Sequence, residues 1–277
     1  MIVESCTFHR KGTPLIELEI KDHIATLTMN NPKNHNALGM EMREKLGEFL
    51  LDIEVNPDVR CVVLKGAGKH FMSGGDVKKF VELVDEKTKP ELRTEFMGRV
   101  HKLNHIMMAL RRMPKPIIAS VQGGAAGAGV SMALSCDMVI ASEKAFFVLA
   151  YCHIGTSPDG AATFQLPRTI GLKKTMEMAL LGERMTAEEA KDIGMINRVV
   201  PHEDLEKETH KLAKRLASGP TIALGNTKQL IYKSLENEFE SQIQLEAELF
   251  ADSATKQDFA EGVNAFKDKR PPQFRGF

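Results

Sequence analysis

No apolar run in this chain approaches the roughly 20 residues that a membrane-spanning helix requires. Neither sign of charge dominates: Lys+Arg and Asp+Glu each number 37, and the formal net charge is zero. A balanced chain has no general attraction for nucleic acid or an anionic membrane, and there is no Lys/Arg stripe that would favour RNA. Cysteine is scarce. Cys6, Cys61, Cys136 and Cys152 include no CxxC pair, and their spacing does not read as a metal site. They are expected to be reduced thiols of an intracellular protein. Where a signal peptide would need an apolar core the chain has Glu4 and polar neighbours, so a cytoplasmic location is expected. There is no Trp; fourteen Phe and two Tyr make an ordinary aromatic load. Fixed-period repeats, low-complexity tracts and long linkers are also missing.

What is present is a large apolar fraction, 43% of 277 residues, enough for a sizeable core. Residues 15–20 and 24–29 alternate like half-buried strands, with Asp22-His23 as the turn between them and Asn31-Pro32 ending the second. Helical spacing covers 38–55 and 90–112. Short buried strands are read at 61–64, 116–121 and 138–141. From Gly171 onward the pattern is helical over 173–182, 186–192, 203–218, 221–235, 239–252 and 255–267. Strands alternating with helices, followed by helices alone, predict an α/β core over residues 1–200 and a helical C-terminal region over 201–277.

Two glycine-rich loops each follow a strand and precede a helix. The first is Gly68-Lys69-His70-Phe71-Met72-Ser73-Gly74-Gly75-Asp76, the second Gly123-Gly124-Ala125-Ala126-Gly127-Ala128-Gly129. Small residues leave the backbone amides unshielded, and a helix start adds partial positive charge. Two such amides converging on one oxygen would make an oxyanion hole. The second loop is not a dinucleotide fingerprint, since Met132 stands where the last Gly of G-x-G-x-x-G belongs, and no Lys-Ser/Thr pair makes it a P-loop. Close packing of backbone against backbone is the alternative reading of either loop taken singly.

At these residues the chain resembles the crotonase superfamily, the enoyl-CoA hydratases and isomerases, over nearly its whole length. The resemblance is carried by Asn31-Pro32 with Asn36-Ala37-Leu38, by Phe71 to Val77, and by Pro116 to Asp137. It continues through Leu181-Gly182-Glu183 with Ala187 to Ala190, then Gly194-Met195-Ile196, and Glu261-Gly262-Val263 with Phe266, Lys269-Arg270 and Phe274. It implies a spiral of ββα units with a helical C-terminal region, assembled as homotrimers or dimers of trimers. The substrate would be an acyl-CoA thioester, with coenzyme A part of that substrate and neither a resident cofactor nor a metal. It assigns the oxyanion-hole amides to Gly75 and Ala128 and places Lys33, Ser73 and Lys78 near the CoA. Phe266 and Lys269 would reach the CoA on a neighbouring subunit.

The two glutamates that activate water in a typical hydratase of this family fall at Ser131 and Tyr151, poor bases near neutral pH. Instead, Asp159 in Thr156-Ser157-Pro158-Asp159-Gly160 resembles the carboxylate of the epoxyphenylacetyl-CoA isomerase and dienoyl-CoA isomerase branches. Asp159 is read as a proton shuttle, or as a helix N-cap before Ala161–Phe164. Tyr151 reads as a pocket wall or hydrogen-bond donor, Ser131 as space-filling, His153 as a satisfied buried histidine, His70 as surface, and Met107 and Met108 as core. Three other readings stay open: a hydratase using Asp159 alone, a dehalogenase-like hydrolase with Asp159 as nucleophile, and a non-catalytic acyl-CoA-binding module. Against the second of these, the position of that branch's histidine falls at Asn104, between His101 and His105.

Overall fold

The computed structural model describes residues 14–277; Cys6 and the stretch around Glu4 lie outside them. β1 (Ile16–Lys21) and β2 (Ile24–Met29) pair antiparallel, with Ile16 opposite Met29. Asp22 and His23 have φ of 51° and 63°, the left-handed pair that a two-residue hairpin turn requires. From β2 the sheet continues in parallel through β3 (Cys61–Gly66), β4 (Ile117–Val121), β6 (Met138–Ser142) and β9 (Arg198–Val200), in the order β1-β2-β3-β4-β6-β9.

Helices fill the crossovers, as parallel strands demand. α1 (Met40–Val55) joins β2 to β3, and α2 (Val77–Glu86) with α3 (Lys89–Arg112) joins β3 to β4. A capping box starts α3, where Thr88 and Glu91 satisfy each other's backbone amides. A second, three-stranded sheet is made by β5 (Gly124–Ala126), β7 (Phe146–Val148) and β8 (Met185–Thr186). β5 runs through residues read from sequence as an open loop. At three residues, two of them Ala and one Gly, it carries no alternation to detect. Between these strands lie α4 (Ala128–Leu134) and α5 (Ala162–Leu181), and α6 (Ala187–Asp192) follows β8. α5 starts well before the expected 173, and a break at Gly171 (φ 77°) hides its continuity.

The period of two along β3 divides two cores. Val62 and Leu64 join the main core beneath α1 and α3, which also takes in Phe71, Met72, Leu103, Met107 and Phe147. Cys61 and Val63 face the other way, onto Leu205, Leu212, Ala213 and Ala217 of α7 (Leu205–Ala217). Each buried leucine there contributes about 1.5–3 kcal/mol, and desolvation pushes the Cys61 thiol up to about 12. So α7 lines the core, whereas α8 (Thr221–Lys233), α9 (Phe239–Ala254) and α10 (Gln257–Lys267) stand further out. α8 is pinned by Lys228, whose ammonium meets the Asp137 carboxylate at 2.9 Å and donates to Leu110 O at 2.9 Å. Apolar side chains remain exposed on the outer helices, among them Ile231, Phe239, Phe250, Phe259, Val263 and Phe266. Met108 is exposed rather than core: Met107 turns inward on α3 and its neighbour must turn out. Among the described residues no helix is long and apolar enough to cross a membrane.

Candidate functional site

The two glycine loops meet. Gly124 O accepts from both Phe71 N (3.1 Å) and Met72 N (3.2 Å), and Ala126 N donates back to Met72 O (2.9 Å). Phe71 and Met72 are fully buried and anchor this lacing in the core. A third segment clips onto it. The buried Asn36 donates through Nδ2 to Ala67 O (2.9 Å) and His70 O (2.8 Å), while Leu38 N donates to Gly74 O (2.7 Å) and Ser73 N to His35 O (3.0 Å). Lys33, in the short 3-10 turn Pro32–Asn34, therefore shares one rim with Ser73; both are exposed, as is Lys78 on the first turn of α2.

This stitching brings Gly75 and Ala128 side by side. A methyl group on Gly74 would lie 3.6 Å from Ala128 N, and one on Gly127 would lie 3.9 Å from Gly74 Cα. Among the described residues neither Gly75 N–H nor Ala128 N–H donates to a protein acceptor, so both remain available. The Tyr151 hydroxyl adjoins them, 3.8 Å from that same methyl position on Gly127. It donates to Asp159 Oδ1 at 2.7 Å. Burial first, and then the adjacent Asp159 carboxylate, push the Tyr151 phenol well above its ordinary range. Tyr151 is therefore a fixed donor and no base.

The helix-cap role of Asp159 is not what the structure shows. α5 begins at Ala162, its N-cap is Ala161 at φ 67°, and no side chain caps it. With Gly160 also left-handed (φ 61°), the chain turns before the helix starts and the Asp159 carboxylate goes to Tyr151 instead. Ser131 does more than fill space: fully buried on α4, it donates through Oγ to Asp159 O at 2.9 Å and holds the loop carrying the acid. His153 is exposed, not buried, with Nε2 donating to Gly182 O at 3.0 Å. His70 is half-buried rather than on the surface, because Gly124 N–H points at its ring. Phe266 and Lys269 stand on and just beyond α10, with no hydrogen bond to the glycine loops among the described residues.

One group has no counterpart in the sequence reading. Arg43 sits only 5% exposed on α1, in phase with the buried Leu46, Leu50 and Ile53. Its Nη1 donates to Arg99 O, and its Nε finds no partner among the described residues. Burial lowers its pKa from the ordinary arginine value; Asp159 opposes that most, Arg99 adds to it, and Tyr151 opposes it more weakly. Asp159 is thus within electrostatic reach of this positive charge. The readable signal was an arginine continuing an apolar stripe. Arg99 and Met40 also line an open cleft of about 550 Å³ between α1 and α3. Arg43→Met should cost no more than about 1–3 kcal/mol, because it removes the Nη1 bond to Arg99 O together with a buried Nε–H that has no partner. It should slow turnover by removing the positive charge that acts on Asp159. Denaturant midpoints read beside kcat/KM check this; a large loss of stability with unchanged turnover would mark Arg43 as purely structural.

The family model described as enoyl-CoA hydratase/isomerase matches residues 19–276. The chain is 38% identical to the 1,2-epoxyphenylacetyl-CoA isomerase of Escherichia coli, over 93% of this chain and 97% of that protein. It is 37% identical to a protein of Rhodobacter capsulatus named a probable enoyl-CoA hydratase, over 94% and 98%. A crystal structure of an enoyl-CoA hydratase from a Polaromonas species superposes with a TM-score of 0.88 at 34% identity, covering 94% of this chain and 99% of that one.

Proposed function

Because the chain belongs to the enoyl-CoA hydratase/isomerase family, we propose that it is an acyl-CoA isomerase in which Asp159 moves the proton. The observation that carries this reading is the Tyr151–Asp159 hydrogen bond of 2.7 Å beside the paired Gly75 and Ala128 amides. The thioester carbonyl oxygen accepts from those two N–H groups. As the α-proton leaves C2, charge builds on that oxygen, and donors already aimed at it lower the barrier. The Asp159 carboxylate takes the proton. In a 3-enoyl thioester the resulting dienolate spans C1 to C4, and the same carboxyl returns the proton at C4, leaving the double bond between C2 and C3. The reaction is redox-neutral and needs no electron carrier. Tyr151 orients the acid, and Ser131 fixes its loop.

Exposed Lys33, Ser73 and Lys78 offer the rim on which the CoA moiety lies. The apolar residues left uncovered on α8 to α10 support a homotrimer or dimer of trimers, in which Phe266 and Lys269 serve a neighbour's CoA. The Rhodobacter relative's name favours a second reading, hydration with Asp159 acting on water.

The test is incubation of the protein with a 3-enoyl-CoA, and separately a 2-enoyl-CoA, in deuterated water. The isomerase reading expects conversion of the 3-enoyl to the 2-enoyl thioester with deuterium uptake. Fast addition of water to the 2-enoyl thioester with no migration of the double bond would replace it with the hydratase.

A further inference from the structure

The Ala128 amide is only as well placed as the strand that leads to it. That strand, β5, is three residues long, and its first residue, Gly124, donates its N–H to a side chain: His70 Nδ1, at 3.0 Å. The imidazole belongs to the first glycine loop, 54 residues earlier in the chain. Its own carbonyl is gripped by Asn36 Nδ2 and by Gln122 Nε2, each at 2.8 Å. The ring stands edge-on to His35 (centroids 5.0 Å apart) and to Phe146 (6.2 Å), the residue paired with Gly124 across the small sheet. The fit is close enough that a methyl group on Gly124 would sit 3.1 Å from Nδ1, and one on Gly123 3.3 Å from it.

We propose that His70 is a positioning residue for the enolate site: its neutral Nδ1 holds Gly124 N–H and so fixes the Ala128 amide relative to Gly75. Four residues separate the bond from the amide. Gly124 O is already committed to Phe71 and Met72, and beyond it Ala126 N and Gly127 N are held by Met72 O and Val148 O, so the bond to His70 adds the restraint at the N–H where the strand begins.

The role requires a neutral ring. Nδ1 accepts only when it carries no proton, which puts the proton on Nε2. The surroundings enforce this. Burial lowers the pKa of His70 below its ordinary value, and so do the groups facing it: His35 from the preceding turn, Lys69 beside it, and Arg184 from the approach to β8, which stacks over Phe146 at 4.5 Å. The sign follows directly. The fold favours the neutral form, so the contact persists at neutral pH and is lost as pH falls past the lowered value, when an Nδ1–H would point at an N–H. Acid then weakens the site through the strand.

This inference rests on the oxyanion-hole reading above, and the experiment separates the two. The probe is 4-dimethylaminocinnamoyl-CoA, whose absorption moves to longer wavelength when its carbonyl is polarised by hydrogen bonds. The parent should shift the band. His70→Phe, which keeps a ring but has no acceptor, should bind the probe and shift it less, and should lose about 10–100-fold in kcat with KM little changed, as for a displaced catalytic group. His70→Asn, which keeps an acceptor oxygen that does not titrate, should recover much of kcat and flatten the acid-side fall. A full band shift and parental kcat in His70→Phe would overturn the role of His70 alone. No band shift in the parent would overturn the hole, and this role with it. Should His70→Phe not fold, the pH profile of His70→Asn decides: an unchanged acid limb overturns the proposal.

Discussion

Asp159→Asn should fold like the parent and lose about 10²–10⁴-fold in kcat, the range carried by a positioned acid–base group. The substitution keeps shape and one acceptor oxygen, so the Tyr151 hydroxyl can still donate to it, and Ser131 still holds the backbone carbonyl of the same residue. What it removes is the ability to take a proton. The structure also says why stability should not suffer. No side chain caps α5, so the 0.5–2 kcal/mol or so at stake when a cap is lost does not apply here. Thermal or denaturant midpoints measured with turnover on a 3-enoyl-CoA distinguish the outcomes. Retained turnover would remove Asp159 from the chemistry. A large drop in stability with only a small loss of rate would return it to a structural role.

Gly129→Ala should damage the same site from the opposite direction. A methyl group there would lie 2.4 Å from Met72 O and 3.2 Å from Met72 C. Both are backbone atoms, and Met72 is held by Gly124 and Ala126, so nothing can swing aside. The collision must push the start of α4, with Ala128, away from the first loop. Overpacking of this kind costs about 1–3 kcal/mol, and losing one well-aimed oxyanion donor costs about 10²–10³-fold in rate. Gly47→Ala on α1 is the matched control. It has open space around its added methyl group, so it should be neutral or stabilise by roughly 0.4–1 kcal/mol. Equal behaviour of the two variants would contradict the account of why residue 129 is glycine.

How far the sequence foretold all this depends on how local the signal was. β2, α1 and α3 were legible because each carries its own period, and β3, β4 and β6 because each is a short continuous apolar run. β5 and β7 were not, since three-residue strands have no pattern and exist only through their pairing in the small sheet. The carboxylate at 159 was legible as chemistry. Its orientation was not, because a left-handed pair at Gly160 and Ala161 turned it from a helix cap toward Tyr151. Arg43 and His70 escaped for a common reason: what each does depends on a partner more than 50 residues away, Arg99 for one and Gly124 for the other. The boundary expected near residue 200 follows the point where strands give way to helices, yet α7 beyond it closes the second core.

The lacing between the glycine loops also sets an order of events. Its partners are separated by the whole of α2, α3 and β4. The ring of chain it closes is entropically expensive until those elements have packed. The meeting of the two loops is therefore a late-arriving property of the chain: a partly assembled molecule could display native helices and a formed sheet while Gly75 and Ala128 are still apart.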